Sequence, residues 1–192
     1  FENEDAYSIG AITIDPNDAS TIWVGTDDGN VQLTRNGGRS WDNVVGNIEG
    51  VPEGTWVSRV EASPHDQGTA FITFDGHRRG DMSTYVYRTT DYGETWTSLA
   101  SETIEGYAWV IRQDLVNPDL LFLGTEEGLF ISLDGGKNWA RFTENLPQVA
   151  VHDLVVHPTE HDLVIGTHGR GVYIIDDITP LRGLTQDIID AN

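Results

Sequence analysis

The sequence predicts an all-β chain made of consecutive antiparallel sheets, arranged as blades of a β-propeller. Three observations carry that expectation. The pattern Ser/Thr-x-Asp-x-Gly-x-Ser/Thr-Trp occurs three times, as TRNGGRSW (34–41), TTDYGETW (89–96) and SLDGGKNW (132–139). Its copies end at Trp41, Trp96 and Trp139, 55 and 43 residues apart. Self-similarity at a period in the tens of residues marks a repeat architecture. Short runs rich in Val, Ile, Phe, Tyr and Trp precede each copy in the same order. Gly, Asp, Asn and Pro punctuate those runs, as they do between strands.

Each element follows in order. A first strand ends near a Pro in AITIDP (11–16), RVEASP (59–64), RQDLVNP (112–118) and DLVVHP (153–158). A second strand ends in a turn in IWVGTDDG (22–29), AFITFDG (70–76), LFLGTEEG (121–128) and LVIGTHGRG (163–171). A third strand, VQLTR, YVYRT or LFISL, leads into the box, and a fourth follows the box. Four such repeats, nominally four-stranded, are the signature of propeller blades. They span about 9–50, 56–106, 107–148 and 149–177 of a propeller segment 1–177. The fourth repeat ends at VYIID with no box, so its outer strand is expected to be missing. The segment is therefore expected to be part of a larger propeller. Its open strand edges are sticky, which predicts self-association or pairing with missing blades of a longer chain. Residues 178–192 read as a C-terminal linker, with Leu184, Ile188 and Ile189 at helical spacing.

The box chemistry is that of a tight turn. Asn36, Asp91 and Asp134 can accept backbone N–H bonds from residues two further on. Gly38, Gly93 and Gly136 supply positive φ without a Cβ penalty. Trp41, Trp96 and Trp139 open the next strand and offer a large apolar face. All nine residues are read as structural.

Composition excludes several partners. The chain has 192 residues, 31 acidic against 11 basic, and a net charge of −20. Phosphate binding needs clustered cations, so nucleic acid is not an expected partner. No stretch is long and apolar enough to span a bilayer as a helix, and membrane insertion is not expected. There is no Cys, which removes disulfides and thiolate metal sites. His152, His157 and His161 straddle a strand and its turn, so no metal site is predicted. No cofactor motif is present. No signal peptide is legible at Phe1, so an export signal would lie upstream.

Topology selects the candidate site. Antiparallel strands send successive turns to alternate faces, so second-to-third turns and blade-to-blade connections share the rim opposite the boxes. That rim gathers Arg59, His77, Arg78, Arg112, His168 and Arg170 as ligand-binding candidates, with Trp56 and Trp109 as stacking faces. Arg forks suit carboxylates, and indole faces suit sugar rings. Asp75 and Glu126 are the candidate acids, because each lies in such a turn beside cations or another acid. The segment DGHRRGD (75–81) stands out as an irregular polar loop where other repeats turn tightly.

Residues 9–177 resemble the Asp-box, or BNR-repeat, propellers. Within these the chain looks most like bacterial BNR-repeat proteins of the glycosyl-hydrolase-like or sortilin (VPS10)-like kind. GTWVSRVEAS (54–63), FDGHRRGD (74–81), YRTTDYGETW (87–96) and GTHGRGVYIIDDITPLR (166–182) carry that closer resemblance. It implies the C-terminal blades of a longer, exported protein. Sialidases share the boxes, but their FRIP-type Arg motif is absent here. Xyloglucan-cleaving propellers share them too and use paired carboxylates, whose separation sets the outcome. The expected function is a binding or scaffold module for glycan or peptide. The alternative is part of a glycoside hydrolase that uses rim carboxylates.

Overall fold

The computed structural model describes residues 7–184. Four antiparallel sheets follow one another along the chain. Sheet one is β1 (Ile9–Ile14), β2 (Ile22–Thr26), β3 (Val31–Thr34) and β4 (Asp42–Asn43). Sheet two is β5 (Trp56–Ala62), β6 (Ala70–Asp75), β7 (Tyr85–Thr89) and β8 (Thr97–Ser98). Sheet three is β9 (Ala108–Gln113), β10 (Leu121–Thr125), β11 (Gly128–Ser132) and β12 (Ala140–Phe142). Sheet four has three strands, β13 (Val151–Val156), β14 (Leu163–Thr167) and β15 (Val172–Ile175). Within each sheet the strands lie side by side in chain order. That all-β succession of blade sheets is the predicted architecture, and the boxless fourth repeat is the three-stranded one.

Three cores lie between the sheets. Ala11, Trp23, Val31 and Leu33 of sheet one pack on Val60, Ala62, Ala70 and Ile72 of sheet two. Phe71 and Val86 on the far side of sheet two meet Ile111, Leu121, Leu123 and Phe130 of sheet three. Val110, Phe122 and Leu129 then meet Leu154, Val156, Leu163 and Ile165 of sheet four. The inner sheets are thus apolar on both faces, which explains why β6 and β10 read as continuous apolar runs rather than alternating ones. β6 is buried at all six positions.

The three boxes share one hydrogen-bond pattern. Asp91 Oδ1 accepts Thr95 N at 2.9 Å and the Thr89 hydroxyl at 2.8 Å, while Oδ2 accepts the Thr95 hydroxyl at 2.6 Å. Asp134 accepts Asn138 N at 2.9 Å and the Ser132 hydroxyl at 2.9 Å. Asn36 accepts Ser40 N at 3.0 Å and the Thr34 hydroxyl at 2.9 Å. The backbone donor lies four residues on, not two, because the loop is wider than an Asx-turn. The first Ser/Thr closes it by accepting the glycine N–H, at 2.9 Å for Gly93. Gly38, Gly93 and Gly136 have φ of 87°, 79° and 90°, in the region where side chains are strained.

The box tryptophans differ in burial. Trp139 is 6% exposed, with its indole N–H on Leu99 O at 2.9 Å. Trp96 packs edge-on against Trp23 of sheet one at 6.1 Å. Each therefore leans on the preceding sheet. Trp41 sits on sheet one, has no preceding sheet among the described residues, and is 42% exposed. The expected packing face is thus used at two boxes and left open at the third.

After β15 the chain turns through Ile178, 1% exposed, into α1 (Thr179–Arg182). Arg182 grips Asp114 with two bonds of 2.9 Å. Burial pushes the Asp114 carboxyl up, but Arg182 and the N–H groups of Val116 and Asn117 outweigh it and hold the pKa low. The first part of the segment read as a linker therefore packs on sheets three and four. Ile188 and Ile189 lie outside the described residues.

Candidate functional site: an aromatic rim opposite the boxes

The strand starts and second-to-third turns converge on one rim. The DGHRRGD loop forms a 3-10 turn over His77–Arg79, ended by Gly80 at φ 79°. That turn aims three side chains in different directions. Asp75, whose side chain is fully buried, accepts His77 N at 2.8 Å and holds His77 Nδ1 at 2.6–2.7 Å. His77 stacks on Tyr107 at 4.8 Å and 17°. The Arg78 guanidinium lies 4.6 Å above the Trp56 ring, a cation–π contact. Arg79 reaches back to Glu53 O at 2.7 Å.

From His77 the rings run on without a break across three sheets. Tyr107 meets Trp109 at 5.4 Å, and Trp109 meets His152 at 4.1 Å. His152 meets His168 at 4.9 Å. Trp56 stands edge-on to Trp109 at 6.0 Å. Glu126 Oε2 accepts both the Tyr107 hydroxyl at 2.9 Å and the Trp109 indole N–H at 3.1 Å. One carboxylate thereby fixes the orientation of two rings. Burial, with the negative charges of Glu126 and Asp75 after it, raises the Tyr107 pKa, so the phenol keeps its proton. Burial and then the neighbouring His168 push the His152 pKa down, so it is neutral at physiological pH. Tyr107 is buried, while Trp56, Trp109, His152 and Glu126 are half-buried and His168 is exposed. The result is a fixed row of rings with one edge open to solvent.

Of the ten candidates, the rim brings together Trp56, Asp75, His77, Arg78, Trp109, Glu126 and His168. Arg170 is exposed at the tip of the turn after β14. Arg59 and Arg112 lie deeper and are already paired. Arg59 reaches Asp153 of sheet four at 2.7 Å. Arg112 bonds Glu61 of sheet two and donates to Leu154 O of sheet four at 2.7 Å. Burial pushes the Glu61 carboxyl up to about 7, against the opposing pull of Arg112 and Arg59. These charges tie inner strands together. Tyr107 and His152 belong to the ladder but were not candidates. His152 was visible as a strand-start residue, whereas Tyr107, in the approach to β9, carries no sequence signal. His157 instead bonds its own turn, accepting Glu160 N on Nδ1 at 3.1 Å.

Comparison with known proteins places this fold among propellers. A xyloglucanase of Emericella nidulans specific for oligoxyloglucan reducing ends is 26% identical over 94 residues, 49% of this chain and 11% of the relative. The GH74 xyloglucanase of Xanthomonas campestris superposes with a TM-score of 0.65 at 16% identity, over 88% of this chain and 29% of that one. YCF48 bound to D1 peptide gives a TM-score of 0.64 at 16% identity, over 88% of this chain and 51% of that one. The Niastella koreensis GH74 enzyme gives 0.62 at 19% identity, over 87% and 22%. At such identities the solved structures speak for the fold alone. The chain spans about a tenth of the curated relative and no more than about half of these solved chains. The Sortilin-Vps10 family model (sortilin, neurotensin receptor 3) matches residues 84–179, half of the chain, and the chain belongs to that family.

Proposed function

We propose that this propeller segment is a binding module whose aromatic rim holds an extended glycan or peptide, with glycan the better fit. The observation that carries the reading is the unbroken row His77–Tyr107–Trp109–His152–His168. Sugar rings present C–H faces that stack on such rings, and hydroxyls that pair with the polar edges between them. The imidazole nitrogens of His152 and His168, the Glu126 carboxylate and the Arg78 guanidinium supply those edges. Asp75 holds His77, and Glu126 holds Tyr107 and Trp109, before any ligand arrives, so little ordering entropy is lost at those three rings on binding. An oligoxyloglucan-acting relative and a neighbour bound to a peptide both accord with a chain-binding rim.

The glycoside hydrolase reading has one observation in its favour, the presence of two acids on the rim. Both are engaged, Asp75 by His77 and Glu126 by Tyr107 and Trp109. Glycosidases need one carboxyl poised as an acid and a second free to act as base or nucleophile. Asp75 is fully buried behind His77, so Glu126 is left without a second accessible carboxyl among these two acids, which favours binding over turnover.

Glycan arrays and peptide panels probed with wild type, Arg78→Ala and His168→Ala test the reading. Oligosaccharide binding by the wild type that weakens in both variants is expected. Equal binding by all three would remove the rim from the site. Glycoside hydrolysis lost in Glu126→Gln would put the enzyme reading in its place.

A further inference from the structure

The aromatic row begins at a residue whose two ring nitrogens stand in different surroundings. His77 Nδ1 lies 2.7 and 2.6 Å from the two oxygens of Asp75. Asp75 ends β6, opposite Trp56 of β5, and its side chain is wholly buried. A carboxylate accepts hydrogen bonds and donates none, so Nδ1 supplies the hydrogen of that contact. In the neutral ring this leaves the lone pair on Nε2. Among the described residues nothing bonds Nε2, and it is not sealed from solvent, in a side chain 32% exposed.

The ring cannot swing that lone pair aside. Tyr107 stacks on it at 4.8 Å and 17°, and Trp109 lies 5.8 Å away at 52°. The turn beneath it is closed by Arg79 N on Gly76 O and Gly80 N on His77 O, both at 2.9 Å. A Cβ on Gly76 would fall 2.9 Å from Asp81 Cβ, and Asp81 is itself held by the Tyr85 hydroxyl at 2.7 Å.

We propose that Asp75 is a positioning residue that fixes His77 as a hydrogen-bond acceptor, so that the rim selects glycan units presenting an unsubstituted hydroxyl at Nε2. This rests on the glycan reading of the rim. Masking that hydroxyl, or replacing it by a group that only accepts, leaves Nε2 without a partner. The geometry also states how the preference can be removed. The His77 backbone N–H donates to Asp75 Oδ1 at 2.8 Å. In Asp75→Asn that donor keeps the amide oxygen in the place of Oδ1. The amide NH2 then takes the place of Oδ2, 2.6 Å from Nδ1. The amide donates, Nδ1 accepts, and the ring hydrogen moves to Nε2. One buried, isosteric change thus turns an acceptor on the rim into a donor.

Nitrogen NMR shifts of the His77 ring at pH 8 read the tautomer without any ligand. Wild type should carry the hydrogen on Nδ1 and Asp75→Asn on Nε2, a change that a merely structural role for Asp75 would not produce. Xyloglucan oligosaccharides and their monodeoxyfluoro derivatives then read the specificity, since fluorine accepts but does not donate. At one hydroxyl position the fluoro derivative should bind wild type roughly threefold to tenfold more weakly than the parent, the usual worth of one hydrogen bond. In Asp75→Asn the gap at that position should close, because hydroxyl and fluorine can both accept from Nε2–H. The wild-type measurements stand whether or not the variant folds. Equal binding of parent and every fluoro derivative by the wild type, or a proton on its Nε2, would overturn the proposal while leaving the rim as a binding site. So would a fluoro penalty that persists unchanged in a folded Asp75→Asn. A wild type that binds no oligosaccharide would overturn the rim reading and this proposal with it.

Discussion

At Asp91 a single carboxylate receives two hydroxyls and a backbone N–H within its own turn. Those bonds, led by the one from the Thr95 hydroxyl, hold its pKa below the usual carboxylate range. Asp91→Ala is expected to cost about 1 kcal/mol, as other turn and capping side chains do. Chemical denaturation checks that, and ligand affinity should be unchanged because the boxes face away from the rim. Glu61 presents the opposite case. Its raised value near 7 means the folded chain binds the proton more tightly than the unfolded chain. Stability therefore gains as pH falls through 7 toward the ordinary value of 4.5, with Arg112, Arg59 and Asp153 facing the group. Melting temperature should rise from pH 8 to pH 5, and rise less in Glu61→Gln. A parallel pH slope in the variant would assign the rise to the loss of net negative charge instead. At this scale the boxes were legible, because a turn is local chemistry. The fates of Arg59 and Arg112 were not, because their partners Asp153 and Glu61 lie 94 and 51 residues away.

Strands and turns were legible as elements because alternation, β-branched runs and Gly punctuation are short-range signals. The His77–Arg79 turn was visible as an irregularity in the repeat, but its consequence was not. Only the folded turn shows that His77 points ahead to Tyr107, before β9, and Arg78 back to Trp56 at the start of β5. Tyr107 stayed hidden for the same reason, since an isolated aromatic residue before a strand is most often core. Between elements, glycine at one register position lets the next sheet approach closely at two interfaces, Gly25 against Val57 and Gly124 against Val151, while Thr73 holds that position in β6. Gly25→Val places atoms inside the contact distance of Val57 and is expected to destabilise the fold by about 1–3 kcal/mol or more, as overpacking does. Thermal melting of Gly25→Val beside Gly166→Val separates the two positions. The first should melt well below wild type and the second close to it, because a Cβ at 166 meets nothing nearer than Asp153 at 3.5 Å.

For the molecule as a whole, propeller architecture separates the box turns from the proposed binding rim. Boxes stiffen one rim, and the other gathers one or two rings from each of sheets two, three and four. The six tryptophans sample both rims and a core, with Trp41, Trp96 and Trp139 at boxes, Trp56 and Trp109 on the aromatic row, and Trp23 between sheets. Their indole N–H signals in a nitrogen–proton NMR spectrum therefore report where a ligand lands. Titration with xyloglucan oligosaccharides, the substrate class of a relative, is predicted to move the Trp109 and Trp56 signals and leave those of Trp96 and Trp139 in place. Movement confined to the box tryptophans, or a spectrum unchanged by every oligosaccharide offered, would contradict the assignment of the rim as a glycan-binding site.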